Sequence, residues 1–395
     1  MIQMKRSIST KCIHLEEEGD CTKHYGAISY PIYQTATYAH HGVGESTGYD
    51  YSRLQNPTRD HLEKLVASLE DGTDALAYST GMAAIAALME LFKPGDHLIV
   101  DSDLYGGSIR LFDNISKKNG IIFTYIDCHK EDITQYINNN TKAVYIETPT
   151  NPMMNITDIK ALSLITKAYN LILVVDNTFL SPYFQNPLTL GADVVVHSGT
   201  KYLGGHNDTL SGFLVTSKAD ISEKLRFNIK TTGAGLSPFD SWLILRGIKT
   251  LVVRMEKAQE NAIKIVDWLL GQSEVTKVIY PGLSTHPGHE IIKKQSKGFG
   301  AMITFEVREK EYAQTLLENV KLIQFAESLG GVETLITYPI TQTHADVPQD
   351  ILKKNGITES VLRLSVGIEE AGDIIADLHE AFKNAKEVLY GREES

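Results

Sequence analysis

The rhythm of apolar and polar positions divides the chain into four stretches. Residues 1–60 carry few periodic segments but many Tyr, His, Gly and Thr, and read as an extended N-terminal arm. From residue 61 to about 240, short β-branched runs recur at 97–101 (HLIVD), 121–126 (IIFTYI), 143–147 (AVYIE), 171–176 (LILVVD), 193–197 (DVVVH) and 210–216 (LSGFLVT). Helical spacing fills the intervals at 60–70, 82–92, 109–119 and 158–169. Short, nearly all-apolar strands alternating with amphipathic helices predict a mostly parallel central sheet covered on both faces. Pro238 opens a long helical stretch, PFDSWLILRGIKTLVVRMEKAQENAIKIVDWLL, that can carry the chain into a further unit. Beyond residue 275 the texture is α+β, with strands at 301–307 and 361–366 and an amphipathic helix at 371–390. The expected organisation is an α/β protein with an arm (1–60), a large domain (61–255) and a smaller C-terminal α+β domain (256–395).

Length supports more than one unit, because 395 residues exceed what a single core usually serves. Lys plus Arg number 38 against 49 Asp plus Glu, a formal charge of −11. Wrapping nucleic acid needs clustered cations, so that class is disfavoured, while a local basic pocket for a small anion is not. The longest apolar run, Met82–Met89, is far short of the roughly 20 residues that cross a bilayer. MIQMKRSIST lacks the apolar centre of a secretory signal. Cys12, Cys21 and Cys128 are too far apart for a disulfide framework or a CxxC zinc site. These features lead to an expected cytoplasmic location without a membrane or nucleic-acid partner. The histidines form no HExxH or comparable set, so no metal site is expected.

Open α/β sheets bind ligands beyond the carboxyl ends of their strands. Strand 171–176 ends in Asp176, and strand 193–197 is followed by Ser198, Gly199, Thr200 and Lys201. A lysine and an acid facing one crevice suit pyridoxal phosphate. That cofactor needs an amine to bond its carbonyl carbon and a carboxylate to keep its ring nitrogen protonated. On the residues alone, a loop-capping Asp176 and a solvated Lys201 remain open. Thr80-Gly81-Met82 begins a helix whose free N–H groups and dipole favour an anion, with Ser198 and Thr200 as further phosphate donors. The plain alternative there is a threonine N-cap. No GxGxxG or GxxxxGK[ST] string occurs, which weakens a nucleotide-binding oxidoreductase or NTPase. A non-catalytic binding protein of the same class is the other rival. Tyr105 could lie over a flat cofactor or simply pack. Arg363, inside the apolar run VLRLSVGI, needs an anion, either a substrate carboxylate or a structural acid. Asn151, in TPTNP, sits in what reads as a turn after strand 143–147.

The segment DNTFLSPYFQNPLTLGADVVVHSGTKYLGGHND resembles the pyridoxal-phosphate segment of the Cys/Met-metabolism (transsulfuration) family. YDYSRLQNPTRD, LYGGSIRLFD, KGFGAMITFE, FAESLGGVETLI and LRLSVGIEEAGDIIADL resemble other stretches of that family, in the same order and over nearly the whole chain. The resemblance implies an aspartate-aminotransferase-like, fold type I enzyme with pyridoxal 5′-phosphate. It implies Lys201 as the lysine that bonds the cofactor and shuttles protons, and Asp176 as partner of the ring nitrogen. Tyr105 matches the ring-stacking tyrosine that also handles protons, a catalytic role beside Lys201, and Gly81, Met82, Ser198 and Thr200 match phosphate ligands. Asn151 matches a residue near the cofactor's phenolic oxygen, and Arg363 with Ser328 matches the substrate-carboxylate site. Tyr51 and Arg53 match side chains that reach a neighbouring subunit's cofactor phosphate, so a homotetramer of two active dimers is implied.

Within the family, methionine γ-lyases usually carry a cysteine where this chain has Gly107. Glu327 resembles cystathionine γ-synthases and γ-lyases, where enteric-type β-lyases place an aromatic residue, and Asp50 looks more like the γ-synthases. An acid at the mouth can bind the distal amino group of a cystathionine-like substrate. The resemblance therefore leans to γ-replacement on O-acylhomoserine with cysteine, ahead of cystathionine γ- or β-lyase, O-acetylhomoserine sulfhydrylase and methionine γ-lyase.

Overall fold

The computed structural model describes residues 6–15, 23–345, 347 and 349–391; Cys21 lies outside them. A seven-stranded sheet forms from β1 (Asp74–Tyr78), β2 (His97–Asp101), β3 (Ile122–Ile126), β4 (Thr141–Glu147), β5 (Ile172–Asp176), β6 (Val194–Ser198) and β7 (Gly212–Thr216). Its order is β1-β7-β6-β5-β4-β2-β3. Strand β7 runs antiparallel to both of its neighbours, and the other pairings are parallel.

The strands read as continuous apolar runs because alternate side chains enter different cores. Leu98, Val100, Ala143, Tyr145 and Val174 join one cluster, while Ile99, Val144, Ile146, Leu173 and Val175 join another. A period of two with both faces covered leaves no solvent side to mark with polar residues.

Helix Pro57–Leu69 starts sharply: Asn56 caps it by accepting from the Thr58 N–H at 3.0 Å, and Pro57 occupies the first turn. Before it, residues 27–56 hold little regular structure, and Tyr25, Ile28 and Val43 are exposed. The short helix Ile8–Ile13 is pinned to the body by Lys11, which donates to Ser68 O at 2.7 Å and to Asp71 at 2.9 Å.

The stretch after Pro238 is two helices, Pro238–Ile248 and Leu251–Leu270. The first of them rests on the loop after Lys201, where a Cβ on Gly247 would lie 2.2 Å from Gly204 O. Leu251 and Met255 enter the large core, whereas Ala258, Ala262, Ile265, Val266 and Leu269 enter a third one. That third core lies under a sheet of β8 (Val275–Ile279), β9 (Met302–Val307), β10 (Gln324–Phe325), β11 (Leu335–Thr337) and β12 (Val361–Ser365), in the order β10-β11-β12-β9-β8. Helix Ala371–Tyr390 covers it with Ile374, Leu378, Ala381 and Phe382. Among the described residues, no helix is long and apolar enough to cross a membrane.

Candidate active site

The parallel strands β4 and β5 pair Glu147 with Asp176 at their carboxyl ends, and Ser198 closes β6 beside them. Thr178 joins these ends. Its hydroxyl donates to Asp176 Oδ1 at 2.6 Å and accepts from the Ser198 N–H at 2.9 Å. A cleft opens above, lined by residues from both sheets.

Lys201, Asp176, Gly81, Met82, Tyr105, Asn151, Ser198, Thr200, Glu327, Ser328 and Arg363 all line this one cleft. Tyr51 and Arg53 do not line it. The Arg53 guanidinium lies 5.4 Å from the Tyr51 ring centre and donates to Lys230 O. Glu147 also lines the cleft and was not singled out from the sequence, although it ends a parallel strand just as Asp176 does. Thr178 and Thr343 were missed as well.

Charge in the cleft is strongly biased by burial. Lys201 Nζ donates to Ser328 Oγ at 2.7 Å. Burial, and then the nearby Arg363 charge, bring its pKa down to about 8, with Glu327 opposing. Arg363 is 1% exposed. Its Nη1 donates to Asn151 Oδ1 at 2.8 Å, and its Nη2 donates to Ser328 O at 2.8 Å and to Thr337 Oγ1 at 3.1 Å. Its Nε has no partner among the described residues. Burial raises the Asp176 carboxyl, against which two hydrogen bonds from Thr178 and the His197 charge act. Glu147 is pushed well up by burial and by Asp176 beside it, and it accepts from the Tyr105 N–H at 3.0 Å.

These residues fit pyridoxal phosphate on three structural grounds. Helix Gly81–Met89 points its first N–H groups at the cleft, with Thr80 capping Ala83 at 2.9 Å. A Cβ on Gly81 would lie 3.1 Å from Ser198 Cβ, so the cradle wall there is bare backbone. A buried acid, a half-buried amine of lowered pKa and an arginine with an unspent donor face one space.

A family model described as Cys/Met metabolism PLP-dependent enzyme matches residues 9–383. The chain belongs to this family. Cystathionine γ-lyase of Bacillus subtilis (strain 168) is 49% identical over 360 residues, covering 91% of this chain and 95% of that protein. Cystathionine β-lyase of Lactococcus lactis subsp. cremoris (strain MG1363) is 47% identical over 378 residues, covering 95% and 99%. The crystal structure of cystathionine gamma synthase from Xanthomonas oryzae pv. oryzae in complex with cystathionine superposes with a TM-score of 0.94 at 39% identity, over 97% of this chain and all of that one. This Cys/Met-metabolism protein is thus a PLP-dependent transsulfuration enzyme of the fold its sequence predicts, and its cofactor is pyridoxal phosphate.

Proposed function

We propose that the chain catalyses γ-replacement, joining cysteine to an O-acylhomoserine to give cystathionine. The choice of synthesis over cleavage rests on Asp50, which resembles the γ-synthases, while Glu327, exposed at the cleft that also holds Arg363, supports cystathionine as product or substrate. An acid there complements the distal ammonium of a diamino product, while the guanidinium takes the near carboxylate. In the reaction the Cγ–O bond to the acyl group breaks, the carboxylate leaves, and the cysteine thiol gives the new Cγ–S bond and loses its proton.

Asp176 would hold the cofactor's ring nitrogen, Lys201 its carbonyl carbon, and Gly81, Met82, Ser198 and Thr200 its phosphate, with the Tyr105 ring against its face. When bound, the cofactor supplies an electron sink for bonds at the substrate's Cα. Lys201 removes and returns protons at Nζ, and a pKa of about 8 leaves part of it neutral near pH 7. Asn151 and Ser328 hold the Arg363 fork in position. Tyr51 and Arg53, on the exposed arm, would serve the phosphate of a second subunit, in a tetramer of two such pairs. The buried thiols of Cys12 and Cys128, both free, favour a reducing cytoplasm.

The second reading is a cystathionine lyase, favoured by the 49% identity with the B. subtilis γ-lyase. Methionine γ-lyase fits less well, because a Cβ on Gly107 would lie 2.4 Å from the Tyr105 ring. One assay panel separates these activities: O-acetyl- and O-succinylhomoserine with cysteine, the same esters with sulfide, and cystathionine alone. Cystathionine formation from an ester and cysteine is expected. Rapid 2-oxo acid release from cystathionine, with no synthesis from either ester, overturns γ-replacement in favour of cleavage.

A further inference from the structure

Below the cleft lies a buried acid that the chemistry above leaves without a task. Glu70 follows helix Pro57–Leu69, is fully buried, and among the described residues forms no ion pair with a lysine or arginine. Its Oε1 accepts from His197 Nε2 at 2.5 Å and from Asn177 Nδ2 at 2.9 Å, while its Oε2 has no partner among the described residues. A carboxylate taken out of water this completely is costly unless a cation compensates it. The residue in place to do so is His197, itself 1% exposed.

His197 occupies β6 between Val196 and Ser198, both of which line the cleft. By strand alternation its ring points away from the cleft, to the opposite side of the sheet. A proton on that ring would nevertheless act on Asp176 at the end of the neighbouring strand, opposing the upward push of burial. Asn177, the residue after Asp176, is clamped in the same place. Its Nδ2 also donates to Gln185 O at 2.8 Å, its Oδ1 accepts from Gln185 Nε2 at 2.9 Å, and its N–H donates to Val196 O at 3.0 Å.

We infer that Glu70 and His197 form a buried charge pair that positions Asp176 and keeps it ionised towards the cofactor's ring nitrogen. Glu70 acts twice: it holds His197 as a cation on one side of Asp176, and through Asn177 it fixes where β5 ends. Of the other ionisable neighbours of Asp176, both on β4, Glu147 opposes its negative charge, while the Tyr145 hydroxyl favours it by a hydrogen bond without supplying a cation. Among these groups the cation therefore comes from the His197 side. Neither residue touches the cleft, so both are positioning residues.

The test uses Glu70→Gln and His197→Gln in the full chain, and the two combined. Glu70→Gln keeps an oxygen acceptor for Asn177 and removes the charge. Three quantities are read: the thermal midpoint of the cofactor-free protein, the dissociation constant of pyridoxal phosphate, and the absorption of the bound cofactor against pH. Each single variant is expected to weaken cofactor retention by about 10- to 100-fold, as for partners one step behind a bound group's ligand. Each should also displace the absorption–pH curve in the same direction, and the double variant should be no worse than the worse single one. Cofactor loss with an unchanged cofactor-free midpoint counts for the proposal. An absorption–pH curve and dissociation constant equal to the parent's in either variant overturn it, whatever the midpoint does. If Glu70→Gln does not fold, His197→Gln decides alone by the same criteria.

Discussion

Ser328 joins the two cationic residues of the cleft through different atoms. Its hydroxyl accepts from Lys201 Nζ at 2.7 Å, and its carbonyl accepts from Arg363 Nη2 at 2.8 Å. It does so at φ +88°, a backbone conformation that side chains other than glycine rarely hold. The residue that spaces amine from guanidinium is thus kept in a strained geometry by what surrounds it.

Ser328→Ala removes the acceptor for Lys201 and leaves the carbonyl in place. We expect kcat/KM to fall by roughly 10- to 100-fold, matching the ~1.5–3 kcal/mol of a hydrogen bond to a charged group. Steady-state kinetics on the preferred substrate measure this. A parent-like value would remove the hydroxyl from the lysine's support.

Lys201 gives a pH signature in the cofactor-free protein. Its folded pKa of about 8 lies below the ordinary 10.5, so between those values the unfolded chain binds more protons than the folded one. Stability contributed through this group therefore rises with pH across that window. In a Lys201→Met variant the contribution is absent. Denaturant titrations at pH 7.5, 8.5 and 9.5 should show parent stability gaining on the variant as pH increases; a constant gap would refute it.

His344 gives the same sign in an acidic window. Its Nε2 lies 3.1 Å from Asn151 O, and burial, then the Arg363 charge, bring its pKa down to about 4. The folded form is depressed below the ordinary 6.5, so the stability this neutral ring contributes is present above 6.5 and is lost as pH falls through 4. The stability advantage of the parent over His344→Asn should shrink steadily from pH 7 to pH 4. Equal slopes for the two proteins in that range would contradict the assignment.

The arm makes its own prediction. Arg53→Ala should weaken pyridoxal phosphate retention, because a phosphate would lose a two-pronged charged donor. Equilibrium dialysis measures the retention, and sedimentation measures the assembly. A fully active monomer with parent-like cofactor binding would end the shared-site account.

Much of this cleft was legible from strand ends. Asp176, Ser198, Thr200 and Lys201 follow from reading what stands after each apolar run, and Arg363 from a charge with no business inside one. Glu147 obeys the same rule and was passed over, since a lone acid closing AVYIE carries no motif. Strand β1, DALAY, was not expected, because two alanines in five residues give little β signal. Its place is set by pairing with β7, far along the chain. Glu70 was illegible for the same reason: it looks like a helix-end acid until folding brings His197 to it. The long run after Pro238 gave no sign that it breaks near Lys249, where Gly247 packs against Gly204.

Lys201 belongs to the first sheet's loops and Arg363 to the second sheet, and helix Leu251–Leu270 has one turn in the core of the first and the rest in the core of the second. Asn261, midway along it, donates to Gly367 O at 3.1 Å and Glu369 O at 2.7 Å, just beyond β12. The helix is therefore a ruler. With Ser328, it bears on the span between the Lys201 amine and the Arg363 guanidinium. That distance is then written partly in apolar residues such as Met255 and Ala258, which stand outside the cleft.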